Sequence, residues 1–200
     1  MLLIQEQSSN LYLRKQEEEL LLQLHEKGEE IPLLDLGVWQ VYRGVVQISK
    51  ISHDGREIVL GWVTCDSVFG NWIDNTIAYR AVALSDVYLR WYREADLKKS
   101  PLLARQLIAQ FSDRLIETEQ LLAIAGLRRI EDRLWQLLLM LKRKMGQTVV
   151  DGSRLSVRFT HQQLANAIST TRVTVTRILG DFQNRGWIMV DCDRHIIIKD

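Results

Sequence analysis

The sequence predicts an α+β chain in which short antiparallel strands come first and helices follow. Between residues 31 and 91, β-branched runs alternate with glycine-centred turns, the pattern of short strands. After residue 91, apolar residues recur at helical spacing. Near the C-terminus, two short helical patterns are followed by two apolar runs around a polar turn, which adds a helix pair and a hairpin.

Taken in order, residues 11–27 (LYLRKQEEELLLQLHEK) read as a short helix stopped by Gly28. Val41, Val45, Val46, Ile48 and Ile51 then make strand-like runs broken at Gly37 and Gly44. The turn His53-Asp54-Gly55 leads into Glu57-Ile58-Val59-Leu60-Gly61-Trp62-Val63. Strands this short and close together fit a small antiparallel barrel or sandwich. From Leu97 onward, Pro101, Ala104, Ile108, Phe111, Leu115, Leu122 and Ala125 recur at alternating steps of four and three, with Thr118 filling one position. That 3.5-residue period is a coiled-coil seam, and Pro101 fits the first turn of its helix. The seam suits a two-fold dimer contact; the other reading buries it against the chain's own barrel. Ile130 to Leu141 form a strongly apolar helix running to Gly146, and residues 147–157 form a hairpin or loop turning at Asp151-Gly152.

Length and charge narrow the function. Two hundred residues suffice for more than one domain, and the expected division is 1–95, 96–127 and 128–200. Residues 1–127 carry 13 basic and 18 acidic side chains, whereas residues 128–200 carry 13 basic and 7 acidic. A basic C-terminal part on an acidic N-terminal one suggests that the former faces a polyanion. No uninterrupted apolar run reaches the roughly 18 residues of a membrane helix, and the N-terminus is polar after four residues, unlike a signal peptide; a cytoplasmic location is expected. Cys65 and Cys192 are far apart, without CxxC spacing, and are expected as buried or half-exposed thiols. A Ser-His-Asp context, paired carboxylates at a strand end, a phosphate loop and an HExxH pair are missing, so no enzyme is expected.

The chemistry is concentrated in RFTHQQLANAISTTRVTVTRILGDFQNRGWIMVDCDRHIIIKD, residues 158–200. Thr160 and Gln163 make a Thr-x-x-Gln capping box for a first helix with Leu164, Ala165 and Ile168 on its inner face. It breaks at Ser169-Thr170, whose hydroxyls suit the N-cap of a second helix. There Val175, Ile178, Leu179 and Phe182 take core spacing and leave Thr171, Arg172, Val173, Thr174, Thr176 and Arg177 outward. Trp187 to Val190 and His195 to Ile198 then read as a hairpin wing. An Arg fork at the start of such a helix matches guanine O6 and N7, and a Val matches a thymine methyl. These features predict a winged helix-turn-helix that binds double-stranded DNA. The competing reading is a dimeric sensor or interaction protein whose winged helix contacts protein.

STTRVTVTRILGDF resembles the recognition helix of the cyclic-AMP receptor protein/FNR superfamily of transcription regulators, and within it the cyanobacterial nitrogen-regulator branch. The likeness extends through YRGVVQIS, DGREIVLGWV and SVFG, and so over residues 31–200. It implies an N-terminal antiparallel β-roll, shortened here, then a long dimerisation helix and a winged helix-turn-helix. It also implies a homodimer on a palindromic site, with RNA polymerase as a further partner. By the same resemblance Arg172, Val173 and Arg177 contact bases, while Thr160, His161, Thr170, Thr171, Thr174 and Thr176 hold phosphates or the helix start.

The chain departs from the nucleotide-binding members after Phe69-Gly70. Asn71 stands where they carry Glu, and the stretch to Arg80-Ala81 is several residues shorter, so no cyclic nucleotide is expected. Two cysteines are too few for an iron–sulfur cluster, the four histidines lack a haem context, and no cofactor is expected. The nitrogen-regulator branch binds 2-oxoglutarate; Arg128 falls where the resemblance places one of its arginines, and control without a small effector stands beside that reading.

Overall fold

The computed structural model describes residues 22–33, 37–71 and 79–199. Most of the helix expected over residues 11–27 lies outside them. Its described end corrects the expectation: Gln23–His25 is a strand, β1. Leu24 lies opposite Tyr88 of β7 (Val87–Arg93), so a sheet edge overrides a helix-like composition.

β2 (Gly37–Arg43), β3 (Val46–Ile51), β4 (Glu57–Val63), β5 (Val68–Asn71) and β6 (Arg80–Ala83) complete two antiparallel sheets, ordered β1-β7-β2-β5 and β4-β3-β6. Their inner faces share one apolar cluster built on Trp39, Val41, Val46, Ile48, Phe69 and Leu89. The buried Trp39 indole N–H donates to the Pro32 carbonyl at 3.0 Å, so its burial strands no donor. Gly44 turns β2 into β3 at φ +95°, where a Cβ would sit 2.4 Å from the Asp86 carbonyl oxygen; only glycine fits. These strands are the expected β-roll.

The helical part opens with a correction. Leu97 belongs to a separate short helix, α1 (Glu94–Lys99), and the long helix α2 is Pro101–Ala125. Proline disfavours a helical conformation in the residue before it, and Ser100 is extended, at φ −126° and ψ 92°. Its hydroxyl accepts from the Leu103 N–H as the N-cap. Leu107, Leu121 and Ile124 form the inward stripe of α2, while the seam residues Ile108, Leu115 and Leu122 are 60%, 61% and 73% exposed. The seam is therefore divided: Leu97 and Phe111 pack with Val38 and Val68 of the strands, while Ile108, Leu115 and Leu122 are left open.

α3 (Ile130–Met145) carries Leu134, Leu137, Leu138 and Leu141 fully buried. Near its end Lys144 pairs with Glu117 of α2, and burial pulls the ammonium pKa down. β8 (Gly146–Val149) and β9 (Gly152–Leu155) form the expected hairpin. Then come α4 (His161–Ala167), α5 (Arg172–Asn184), β10 (Ile188–Val190) and β11 (Ile196–Ile198), with the strands ordered β10-β11-β9-β8. The core of this winged head is continuous with Val45, Val59, Trp62 and Leu84 on the outer side of the roll. Among the described residues no helix is long and apolar enough to cross a membrane.

Candidate nucleic-acid interface

The head presents α5 because the two ends of α4 are fastened. At its start Thr160 Oγ1 accepts from the Gln163 N–H at 3.1 Å and the Thr160 N–H donates to Gln163 Oε1 at 2.8 Å, the expected capping box. At its end Ser169 turns left-handed, at φ 54°, and the Thr170 N–H reaches back to the Ala165 carbonyl at 3.0 Å. The N-cap of α5 is Thr171 rather than Ser169 or Thr170: its Oγ1 accepts from the Thr174 N–H at 3.2 Å. Ser169 is spent on the left-handed turn and Thr170 on closing it, which leaves Thr171 as the extended residue that a cap requires.

On α5 the inner face is sealed: Val175, Ile178, Leu179 and Phe182 are buried. Outward stand Arg172, Val173 (79% exposed) and Arg177. Arg172 has no ion-pair partner among the described residues. Arg177 makes one loose contact, Nη1 to Asp181 Oδ2 at 3.3 Å, on an exposed face that water or a phosphate can exchange. Thr176 Oγ1 donates to the Arg172 carbonyl at 2.9 Å and lies 2.7 Å from His161 Nδ1. Its single hydrogen is used on the carbonyl, so the imidazole Nδ1 carries the hydrogen of the second bond. Burial, then the Arg172 charge, hold His161 below the ordinary histidine pKa, which keeps that ring neutral. His161 thus ties α4 to α5.

Two residues that sequence reading left aside join this surface. Arg158 and Arg194 line, with Thr160, His161 and Arg172, a cleft of about 810 Å³ between α4, α5 and the wing. Their signal was only a basic charge on either side of the helix pair; the fold brings them together. At the wing turn Asp191, Asp193 and His195 are close enough to gather a cation. Arg154 already fills that place, with Nε 2.6 Å from Asp191 Oδ2 and Nη2 3.7 Å from Asp193. The Arg154 hydrogen bond holds the Asp191 carboxyl below its usual range.

Elsewhere, Arg128 is exposed in the turn between α2 and α3. The arginine enclosed between roll and long helix is Arg114, whose Nη1 donates to the Val68 carbonyl at 3.2 Å and whose pKa burial lowers. Beside it Tyr79 Oη accepts from the Gly70 N–H at 2.6 Å. Asn71 ends β5, and residues 72–78 of the shortened stretch lie outside the described residues. Both cysteines are exposed rather than buried or half-exposed. Cys65 Sγ donates to the Tyr42 carbonyl, and partial desolvation of the sulfur, then the neighbouring Asp66 charge, raises its pKa.

Known proteins are similar to this chain in sequence and in fold. The Crp-like helix-turn-helix domain matches residues 132–200. The global nitrogen regulator of Nostoc sp. is 31% identical over 163 residues, 76% of this chain and 73% of that one. The regulatory protein CysR of Synechococcus elongatus is 30% identical over 165 residues, 81% of this chain and 76% of that one. Among solved structures, a CRP/FNR-family transcriptional regulator of Thermus thermophilus superposes with a TM-score of 0.71 at 22% identity, covering 90% of this chain and 93% of that one. A roll, a long helix and a helix-turn-helix with an outward cationic start, together with relatives at this identity and coverage, place the chain in the CRP/FNR family of transcription regulators, with a helix-turn-helix DNA-binding domain at its C-terminus.

Proposed function

We propose that the chain reads a palindromic DNA site as a homodimer, joined through the outward stripe of α2, and does so without a cyclic nucleotide. The observation that carries the reading is the first turn of α5: Arg172 and Val173 stand free on a helix whose opposite face is fully sealed. A helix held so firmly can enter a major groove without deforming. Arg172 and Arg177 supply guanidinium forks for guanine or an adjoining phosphate, and Val173 supplies an apolar contact for a thymine methyl. Thr160, Thr171 and Thr176 act first as internal fasteners, since their hydroxyls cap α4, cap α5 and join the two helices. Thr170, Thr174 and His161 flank the same edge and, with Arg158 and Arg194, serve phosphates.

The dimer follows from the stripe and from the site. Ile108, Leu115 and Leu122 recur at coiled-coil spacing on an exposed face. Two heads reading successive major grooves must be held about 34 Å apart. Regulation then follows from presenting the DNA-bound dimer to RNA polymerase. The Asn71 substitution and the shortened stretch after it support the absence of a cyclic nucleotide. Exposed Arg128 is poorly placed to enclose an anion, so control without a small effector is favoured over 2-oxoglutarate.

The test is selection of bound sequences from random DNA. A binding series over single-base variants at two salt concentrations follows. Arg172→Ala costs about 1–3 kcal/mol and relaxes preference at one symmetric position. If Arg172→Ala and Arg177→Ala both leave affinity and preference unchanged, α5 is not the reader.

A further inference from the structure

The roll does more than adjoin the head, because one of its strands lies along α4 and touches both ends. Trp62, near the end of β4, meets Phe159 edge to face at 5.6 Å, just before the Thr160 cap. Glu57, at the start of β4, reaches Asn166 in the last turn: Asn166 Nδ2 donates to Glu57 Oε2 at 2.9 Å. The other carboxylate oxygen accepts from Ser49 Oγ at 2.8 Å and from Gln47 Nε2 at 3.2 Å, both on β3. Asn166 is held from behind as well, its Oδ1 accepting from Gln162 Nε2 at 2.7 Å.

Glu57 and Trp62 are five residues apart, so in a regular strand they would point to opposite faces. The β3–β4 ladder slips between Ile48 and Ser49, whose partners are Gly61 and Val59, leaving Leu60 as the extra residue. A one-residue insertion exchanges the faces beyond it. Glu57, Val59 and Trp62 therefore all turn toward the head, while Val63 returns to the roll interior. The joint is also not built for stability alone. Gln47 and Trp62 are almost wholly buried, and Gln47 Oε1 and Trp62 Nε1 have no hydrogen-bond partner among the described residues. An apolar contact would avoid both costs.

We propose that Glu57 is a positioning residue for DNA reading: from the roll it holds Asn166, and through the turn that follows, it sets the direction in which α5 leaves the head. The turn has little freedom of its own, because Thr170 is bonded back to Ala165 on one side of Asn166 and Gln162 holds the other. A displacement of the roll is thereby passed directly to the reading helix. This rests on the DNA-reading assignment above.

The experiment uses the full chain and operators from the selection, rebuilt with the half-sites moved one base pair closer or further apart. Half-site spacing reports the direction of the two heads, which a general loss of folded protein leaves unchanged. Glu57→Gln leaves one acceptor oxygen where two are used. Asn166→Asp sets a second carboxylate against the first. Together they restore complementarity, because the new amide donates to the new carboxylate while Gln162, Gln47 and Ser49 keep their acceptors. Each single variant should lose roughly three- to tenfold of the discrimination between spacings, and the double variant should regain it.

Thermal melting is recorded alongside. Single variants that keep the wild-type spacing profile overturn the proposal. So do single variants that weaken every spacing equally with a lowered melting midpoint, and a double variant no better than the singles. A wild-type chain that binds no selected DNA fails at the reading assignment instead, and the proposal falls with it.

Discussion

On α5 the inward face carries Val175, Ile178, Leu179 and Phe182, and the outward face carries Arg172, Val173 and Arg177. On α2 the inward face carries Leu107, Leu121 and Ile124, and the outward face carries Ile108, Leu115 and Leu122. Both helices are anchored in the same way, by an apolar stripe against the body of the protein. They differ in what is left over. The remainder of α5 is cationic and hydrogen-bonding, suited to a hydrated polyanion. That of α2 is aliphatic at 3.5-residue spacing, suited to exclude water against a like helix. The inner face places the helix, and the outer face identifies the partner.

The comparison can be broken from either side. The largest effect is expected at the anchor of α5. Phe182 is fully buried and packs edge to face on Trp135 at 5.5 Å. Phe182→Ala should cost about 3–5 kcal/mol of stability in denaturant unfolding, with DNA affinity lost in proportion to the unfolded fraction. A change below about 1 kcal/mol would mean that α5 is not anchored by this face.

Next comes the outer stripe of α2. Leu115→Glu should leave the fold intact, since the side chain is already exposed, yet raise the dimer dissociation constant on the order of 100-fold or more by placing charge in a dry contact. Sedimentation over a concentration series reads this directly. An unchanged dimer would place the contact elsewhere, and a wild-type monomer at micromolar concentration would remove it.

A smaller effect separates neighbouring threonines. Thr171→Ala should destabilise the head by about 1 kcal/mol through loss of the α5 cap. Thr170→Ala, whose backbone N–H makes the structural bond, should change stability much less. The reverse ranking in thermal melts would return the cap to the position that the sequence suggested.

The smallest effect is a pH dependence. His161 and His195 both have pKa values lowered from 6.5, chiefly by burial. The unfolded chain therefore takes up these protons at a higher pH than the folded one. Their contribution to stability is complete above about pH 6.5 and is lost as the pH falls through the folded values. The melting midpoint should decline on acidification below neutrality, and less so in His161→Asn, where one of the two groups is removed. Equal declines in both would assign the effect to other groups.

Much of this was legible in the sequence because it is local. The Thr160–Gln163 capping box, the core spacing of α5 and the hairpin turning near Asp151 depend on residues within a turn or two of one another. The outward position of Arg172, Val173 and Arg177 follows from the same 3.6-residue period. Where the local signal was divided, reading erred by a few positions. Three hydroxyl residues in a row at 169–171 can each cap a helix, and the left-handed turn at Ser169 decides among them.

What the tertiary structure decided is non-local. Gln23–His25 became a strand because β7 offered an edge, and helical composition does not reveal a free edge. The stripe on α2 was readable as a seam, but only the packing of Leu107, Leu121 and Ile124 showed which side of the helix the body uses and which it leaves open. Arg114, unremarkable in sequence, lies enclosed beside Val68, whereas Arg128 lies outside. The hold of β4 on α4 joins residues 109 positions apart and depends on a single extra residue, Leu60, that exchanges the faces of a strand. Sequence periodicity determines which face of an element is apolar; which element meets that face depends on contacts between distant segments, and these exist only once the chain has closed on itself.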